Sequence, residues 1–250
     1  MTFAADRNVP TRQVVGLETM SAALPLAMEY HRWLWELMQE FVGHHVLDVG
    51  AGAGSYLPFL KGRRVTCLDV STDCVQRLRE RFRDAEFEYL VSDVADPSFP
   101  SKLVGWGVDT VICLNVLEHI REDAVALRNL HDILLPTGGH LVLIVPAHQF
   151  LYGEMDRLAG HFRRYSRTQF TALLEESGFS VIKASYFNML GAVGWWVNGR
   201  LFRPRTLSTP AINRQILFFS RIVVPIIKRV ERVVSPCFGQ SLLVVGRARP

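Results

Sequence analysis

A glycine-rich segment follows the first strongly apolar run of the sequence and offers the clearest sign of chemistry. It reads Asp48-Val49-Gly50-Ala51-Gly52-Ala53-Gly54-Ser55. Glycine adopts positive φ easily and lets another molecule approach bare backbone. The spacing G-x-G-x-G differs from the dinucleotide fingerprint G-x-G-x-x-G, and a carboxylate directly before the turn would repel a pyrophosphate. The segment therefore predicts a turn that binds a cationic cofactor.

Two further aspartates end the next two apolar runs. Asp69 stands about twenty residues after Asp48, where a carboxylate can accept both hydroxyls of a ribose. Asp93 is placed to accept from an adenine amino group. Each acid alone could be a helix cap or a loop residue. Together the three favour S-adenosylmethionine, whose sulfonium and amino group are positively charged.

Alternating strands and helices must position these residues. The alternation predicts an α/β fold with a parallel, doubly wound sheet, whose ligands bind beyond the carboxyl ends of the strands. The predicted strands are His45–Val49, Arg64–Asp69, Phe87–Val91, Thr110–Leu114, His140–Val145, Phe179–Phe187 and Ser241–Arg247. Apolar spacing and capping residues predict helices over Leu26–Phe41, from Tyr56, over Asp73–Phe82 with Ser71 or Thr72 as cap, over Arg121–Leu135, from Ser166 to Glu176, and from Ala211, where Pro225 must kink or split the helix.

The ordered motifs resemble those of the class I, Rossmann-like methyltransferases that use S-adenosylmethionine. They are VLDVGAGAGSY, VTCLDVS, YLVSDVAD, DTVICLNVLEHI and LLPTGGHLVLIVP. The resemblance implies a seven-stranded sheet whose last strand is antiparallel and lies between the fifth and sixth. We expect the cofactor to contact Tyr30, Asp48, Gly50, Ala51, Gly52, Gly54, Asp69, Val70, Asp93, Val94, Asn115 and Leu117.

A dense polar segment after the fifth strand supplies candidates for catalysis and acceptor binding. Its patterns P-A-x-x-x-L-Y-G-x-x-D and G-H-x-R-R-Y, with a later F-N-x-x-G-x-x-G-W-W, resemble a bacterial subgroup of these enzymes. Outside this segment, His119 follows the fourth strand and is the leading candidate for a general base, although it could instead fix its loop. The arginine pair could clamp an anion or pair with acids of the protein. The candidates are His119, His148, His161 and Tyr152 for catalysis and Arg163, Arg164, Tyr165 and Trp195 for the acceptor.

Charge is distributed unevenly. Residues 1–160 carry 14 Lys and Arg against 21 Asp and Glu, whereas residues 161–250 carry 14 against 3. The basic part could face an anionic partner, or it could complement the acidic part within one molecule. We expect an N-terminal cap (1–43), a cofactor-binding domain (44–187 and 240–250) and a helical insertion (188–239), hereafter the cap insertion. The insertion could sit on anionic lipid, cover a greasy acceptor, or form a packing or dimer contact.

These observations predict a methyltransferase for a small or lipid-like acceptor that is anionic or hydroxylated, with oxygen as the first candidate for the accepting atom. Alternatives are a catalytically silent cofactor-binding protein at a membrane assembly and an NAD-dependent oxidoreductase. The basic residues are interleaved with aliphatic runs, which disfavours nucleic acid. The cysteines lack metal-ligand spacing, and no metal is expected. Without a signal sequence or an uncharged apolar run of about 18 residues, we expect a cytoplasmic protein, peripheral at most to the inner face of the membrane.

Overall fold

The fold is a seven-stranded sheet with helices on both faces, seen in a computed structural model that describes residues 23–83, 85–202, 206–207, 209–234 and 236–250. The strand order is β3-β2-β1-β4-β5-β7-β6, and only β7 pairs antiparallel to its neighbours. This confirms the predicted Rossmann-like methyltransferase sheet. The strands are β1 (His45–Val49), β2 (Arg64–Asp69), β3 (Phe87–Val91), β4 (Thr110–Leu114), β5 (His140–Pro146), β6 (Phe179–Phe187) and β7 (Ser241–Ala248).

Eight α-helices lie among the described residues. They are α1 (Met28–Met38), α2 (Thr72–Arg81), α3 (Asp123–Leu134), α4 (Glu154–Ala159), α5 (Arg167–Glu176), α6 (Met189–Val197), α7 (Pro210–Phe218) and α8 (Val224–Val233). Ser71 caps α2 and Ser166 caps α5 through their side-chain oxygens. The helix predicted from Tyr56 is wrong: Leu57–Leu60 form a single 3-10 turn that includes Pro58. The division into three sequence regions stays a prediction.

Two apolar clusters cover the two faces of the sheet. Strands β1, β4, β5 and β7 are almost wholly buried, as expected for central strands covered on both sides. Helices α3 and α5 pack on one face, whereas α1 and α8 pack on the other. Near its C-terminal end the cap insertion therefore forms part of the layer that covers the sheet, since Val224 and Ile227 of α8 are buried against the sheet.

Helices α7 and α8 form one continuous helical segment, Pro210–Val233. A π-helical turn, Phe219–Val223, joins them, and Pro225 follows it within the first turn of α8. Pro225 has no backbone N–H to donate, and it follows directly on a turn whose hydrogen bonds already depart from the α-helical pattern. By length and composition alone this segment could cross a membrane, although the sequence has no uncharged apolar run of about 18 residues and none was expected to do so. Only 17% of its most apolar window is buried.

The glycine turn after β1 is packed closely against the segment after β4. Gly50 has a φ of 69°, and a Cβ added there would collide with the Val116 side chain. Gly107 offers a matched comparison, because its φ is 72° and a Cβ there would have no neighbour within 4 Å. The two sites share the backbone strain and differ in the steric contact.

We expect Gly50→Ala to cost more stability than Gly107→Ala. Both substitutions place an alanine at positive φ, but only Gly50→Ala adds an overpacking cost of about 1–3 kcal/mol. Urea unfolding of both variants in the same buffer would measure the difference in the free energy of unfolding. Equal losses would contradict the close contact with Val116.

Candidate functional site

A cleft of about 380 Å³ lies at the carboxyl ends of β1 to β4. Five of the residues predicted to contact the cofactor line it: Gly50, Asp69, Val70, Asp93 and Val94. Ser92 and Ile120 also line it, together with Phe162 from the segment after β5. The cleft therefore occupies the place that the doubly wound sheet predicts for a ligand.

Asp69 holds the glycine turn in position. The Gly52 N–H donates to Asp69 Oδ2 at 3.1 Å, and the Ser71 N–H donates to Oδ1 at 2.9 Å. Burial raises the pKa of this carboxyl, while these backbone hydrogen bonds oppose the rise. On the next strand, Asp93 accepts from the Ala95 N–H at 2.8 Å. Two carboxylates are thus fixed in the cleft wall, where they can accept hydrogen bonds from ribose and base.

Asp48 is buried at the end of β1 beside a group of aromatic side chains. Burial, with the nearby Asp69 carboxylate, raises the pKa of Asp48 to about 7. The Asp48 charge in turn helps to raise the pKa of the Tyr56 hydroxyl, although burial is the main cause. Tyr56 lies 3.3 Å from His31 Nδ1 on α1. A buried carboxyl with a raised pKa favours a bound cation, because the cation stabilises its charged form.

The free energy of unfolding should fall as pH rises from about 4 to about 7 in the protein without cofactor. Asp48 ionises near pH 4 when unfolded but only near pH 7 when folded, so its contribution is present below pH 4 and lost above pH 7. Asp48→Asn removes this titration and should be more stable than the wild type at pH 8 by about 2–4 kcal/mol. Urea unfolding at pH 5, 6.5 and 8 would test this, with the exposed Asp73→Asn as control. A difference in the free energy of unfolding between Asp48→Asn and wild type that does not change with pH would contradict this prediction.

The segment after β4 enters the cleft differently from the expectation. Leu117 is fully buried in the core, so its side chain does not line the cleft. Asn115 is exposed at a φ of 54°. The cleft wall is formed by Val116, His119 and Ile120 instead. The 3-10 turn Leu117–His119 buries the side chains of Leu117 and Glu118, while His119 lines the cleft.

Asp156, at the start of α4, organises the polar segment after β5. Its side chain is fully buried and accepts four hydrogen bonds: from His161 Nδ1 (2.8 Å), Arg164 Nε (2.8 Å), Trp195 Nε1 (3.1 Å) and the Gly153 N–H (3.0 Å). Burial would raise the pKa of Asp156, but the hydrogen bond from His161 and the charge of Arg164 outweigh it and lower the pKa. Asp156 therefore remains a carboxylate inside the protein.

Both arginines pair with acids of the protein, which favours the acid-paired alternative over the arginine clamp; their roles in acceptor binding stay predictions. Arg164 is buried, paired with Asp156, and donates to the Ala147 carbonyl. Arg163 Nη1 lies 2.7 Å from Asp123 Oδ2. Tyr165 is also buried and donates its hydroxyl to Asp123. Arg164 and Tyr165 are therefore committed to the protein interior, whereas Arg163 is partly exposed and is held by its ion pair with Asp123.

The other candidates for catalysis lie in different surroundings. His148 stacks between Tyr186 and Phe238, and neither described cavity includes it. The Tyr152 hydroxyl donates to the His161 carbonyl at 2.8 Å and so fixes the loop. Only His119 lines the cleft. The catalytic roles of these residues stay predictions.

His119 is held in the cleft wall beside two buried polar side chains. Its ring centroid lies 4.8 Å from that of His161, and the adjacent Glu118 is completely buried. Burial and the neighbouring His161 lower the pKa of His119 to about 4, although a hydrogen bond with the Gly160 backbone opposes this. Burial raises the pKa of Glu118 to about 7, against the charges of His161 and Arg164. From the sequence, Glu118 could equally be a helix-start carboxylate or a functional one, and its proximity to His161, distant in the chain, was not predicted.

A second, mostly apolar cavity of about 410 Å³ lies between α1 and the cap insertion. Tyr30 and Trp195, predicted to contact cofactor and acceptor respectively, both line it. Burial raises the pKa of Tyr30 to about 12, despite hydrogen bonds with Ser241 and Asn188. The remaining wall is largely aliphatic and aromatic, with Leu190, Ile212, Ile216, Phe218, Phe219 and Val223. This lining suits a hydrophobic ligand.

The sheet order and the cleft at its carboxyl edge define a Rossmann-like methyltransferase. A family model described as "Methyltransferase domain" matches residues 17–184. The chain belongs to this family. The predicted cofactor, S-adenosylmethionine, is confirmed with it. The bacterial subgroup stays a prediction.

Individual relatives match parts of the chain. An uncharacterized methyltransferase of Mycobacterium bovis is 32% identical to this chain. The match covers 40% of this chain and about half (49%) of the length of that protein. A ubiquinone biosynthesis O-methyltransferase of Azotobacter vinelandii is 28% identical over 60% of this chain and 69% of its own.

Solved structures share the fold at low sequence identity. A methyltransferase from Mesorhizobium loti that depends on S-adenosylmethionine superposes with a TM-score of 0.59 at 18% identity, covering 86% of this chain and 97% of its own. The N-methyltransferase NodS from Bradyrhizobium japonicum, solved with S-adenosyl-L-homocysteine, gives 0.54 at 16% identity, covering 89% of this chain and 87% of its own.

Proposed function

We propose that this protein transfers the methyl group of S-adenosylmethionine to an oxygen atom of a lipid-like, hydroxylated acceptor. The observation that carries the proposal is the apolar cavity of about 410 Å³ between α1 and the cap insertion. Methyl transfer requires the acceptor oxygen to lie in line with the sulfonium carbon while water is excluded, and positioning supplies much of the rate gain. An apolar cavity can hold the body of an acceptor and exclude water.

Two chains of contacts connect the cavity with the cleft. On one side, Tyr30 lines the cavity and interacts with Tyr56, which in turn interacts with Asp48 below the glycine turn. On the other side, Trp195 lines the cavity and donates to Asp156, whose partner His161 packs against His119 in the cleft wall. An acceptor in the cavity would therefore extend towards the place where the transferred methyl group is presented.

The chemistry of the walls and the names of the relatives both favour oxygen as the accepting atom. The cavity offers polar groups from Asn188, Gln240, Asn198 and Gln215 within an otherwise apolar lining. These can orient a hydroxylated ring or head group, and they carry no charge to pair with an amine. Several relatives are named ubiquinone biosynthesis O-methyltransferases, which supports the same choice.

Asp69→Asn should weaken binding of S-adenosyl-L-homocysteine about 10- to 100-fold. The substitution removes a charged acceptor for two ribose hydroxyls, worth about 1.5–3 kcal/mol. Calorimetric titration of wild type, Asp69→Asn and the exposed control Asp73→Asn would measure it, with NADH as the competing ligand. Binding of NADH in place of S-adenosyl-L-homocysteine would contradict the proposal, since it would indicate an oxidoreductase.

Turnover separates an enzyme from a silent cofactor-binding protein. The protein would be incubated with a lipid extract as acceptor and with S-adenosylmethionine that carries a labelled methyl group. We expect the label to be recovered in the organic phase after extraction. Tight cofactor binding without label transfer to any lipid, phenol or small hydroxylated acceptor would favour the silent alternative.

We further propose that the cap insertion rests on an anionic membrane at the cytoplasmic face. An apolar row runs along α7 and α8: Phe218, Ile222, Ile226, Val230 and Val233, each at least 46% exposed. On α6, Leu190, Val193 and Trp196 are also exposed. Arg214 and Arg221, near the row, form no ion pair with any residue that the structure describes. A basic, apolar face of this kind suits anionic lipid.

The contacts of α8 favour a helix lying along the protein over one that crosses the bilayer. Lys228 Nζ lies 2.9 Å from Glu36 Oε1 on α1, and Val224 and Ile227 are buried against the domain. Withdrawing the helix would break this pair and expose those side chains. Helices α6 and α7 and the π-helical turn line the cavity, so a lipid-like acceptor could enter from the membrane side.

Ile222→Asp with Ile226→Asp should reduce binding to anionic vesicles at least tenfold. Each substitution removes an apolar side chain whose burial in the membrane is worth about 1.5–3 kcal/mol. Vesicle flotation with phosphatidylglycerol–phosphatidylcholine and with phosphatidylcholine alone would measure it. Val104→Asp, at a 78% exposed site away from the row, serves as control. Equal flotation of wild type and the double variant would contradict the membrane proposal without affecting cofactor binding.

A further inference from the structure

A group of three potential ligands lies at the edge of the cofactor cleft. Ligand atoms of Glu118, His119 and His161 all lie within 4.8 Å of one another. Glu118 and His119 belong to the 3-10 turn after β4, whereas His161 follows α4. The fold therefore brings together two imidazoles and one carboxylate from separate segments.

The buried carboxylate of Glu118 lacks the partners that such a group requires. Its exposed fraction is 0%, and neither oxygen accepts a hydrogen bond from another residue that the structure describes. His161 Nε2 is 3.9 Å from Glu118 Oε1, which is beyond hydrogen-bond distance. Leaving a buried carboxylate without hydrogen bonds is costly. A cation placed among the three side chains would remove that cost.

Both imidazoles are oriented towards the same point. His161 Nδ1 is bound to Asp156 Oδ1 at 2.8 Å, so its Nε2 is directed towards Glu118. His119 has Nδ1 buried without a partner, and its ring contacts the Gly160 backbone through a hydrogen bond that we assign to Nε2. Metal-binding histidines characteristically use their second nitrogen in this way, with a carboxylate or a backbone carbonyl as partner.

We propose that Glu118, His119 and His161 bind a divalent transition-metal ion at the edge of the cofactor cleft. Two imidazoles and a carboxylate are a known ligand set for zinc with an open fourth position, whereas magnesium prefers oxygen ligands throughout. A tetrahedral ion about 2.1 Å from each ligand requires ligand atoms about 3.4 Å apart. The His161–Glu118 pair, at 3.9 Å, therefore needs to close by about 0.5 Å, and the most widely separated pair by up to about 1.4 Å, which side-chain rotations can supply.

The ion would face the cleft, because His119 and Gly160 both line it. Resting on the proposed function, this places the open coordination position where the acceptor oxygen is presented. An acceptor hydroxyl bound there would lose its proton to solvent more readily and attack as the oxyanion. His119 would then serve as a ligand, and the general base expected from the sequence would not be needed.

Metal content and binding test the site without any measurement of methyl transfer. Protein treated with a chelator and dialysed should bind one Zn²⁺ per chain with micromolar or tighter affinity in calorimetry. Atomic emission should find the same stoichiometry after gel filtration. His161→Ala and His119→Ala should each weaken binding at least 100-fold. His131→Ala is the matched control, because this histidine contacts the Arg249 carbonyl and Phe179 at the opposite end of the sheet.

Thermal unfolding provides a second readout if a variant is poorly folded. Zn²⁺ should raise the melting temperature of wild type and His131→Ala as its concentration increases, because the assembled site of the folded state binds it more tightly than the unfolded chain does. The shift should be absent in His161→Ala. Wild type that binds no Zn²⁺ or Co²⁺ at 100-fold excess, or His161→Ala that binds as tightly as wild type, would overturn the proposal. S-adenosyl-L-homocysteine binding in the presence of chelator tests the proposed function separately.

Discussion

Burying the carboxylate of Asp156 constrains both the polar segment after β5 and the wall of the apolar cavity. A charge in the interior is tolerated only when surrounding donors replace its water, and here the donors come from three separate segments: α4, the following loop and α6. The requirement fixes the His161 ring in one orientation, keeps Arg164 inside and anchors Trp195 in the cavity wall. Cleft and cavity are thereby tied to one carboxylate, although they lie in different parts of the structure.

Ion pairs within the molecule account for part of the uneven charge of the chain. Arg163, Arg164, Lys183, Lys228 and Arg232 from the basic part all pair with acids of the acidic part. Much of the split is therefore complementarity within one molecule. Exposed pairs of this kind contribute little stability, but the buried pair of Arg164 and Asp156 determines how the loop is folded. Of the remaining basic residues, Arg214 and Arg221 lie near the exposed row of α7 and α8, and it is these two on which the proposal of an anionic partner rests.

The sequence predicts the elements well and the side-chain partners poorly, for physical reasons. Strand bounds follow from apolar runs. The observed bounds of β3 and β4, for example, are the predicted ones, because each strand coincides with one short run of mainly apolar residues. The helix predicted from Tyr56 fails because Pro58 and the packing of the glycine turn favour a short 3-10 turn. Asp69 and Asp93 are predictable, since the end of each strand defines their place. Arg164 and Tyr165 are not, because their partners Asp156 and Asp123 are chosen by tertiary packing. Likewise, nothing in the local sequence indicates that Glu118 meets His161.

The place of β7 has a consequence for how the molecule is made. This strand lies between β5 and β6 and pairs with both, so β6 has no partner in the sheet until residues 241–248 are available. During synthesis, β1 to β5 can assemble earlier, while β6 and the cap insertion wait with their apolar faces uncovered. Such late, long-range pairing is slow and exposes edges that can aggregate. A chaperone or a membrane surface that covers the insertion during this interval would act on the nascent chain well before any cofactor binds.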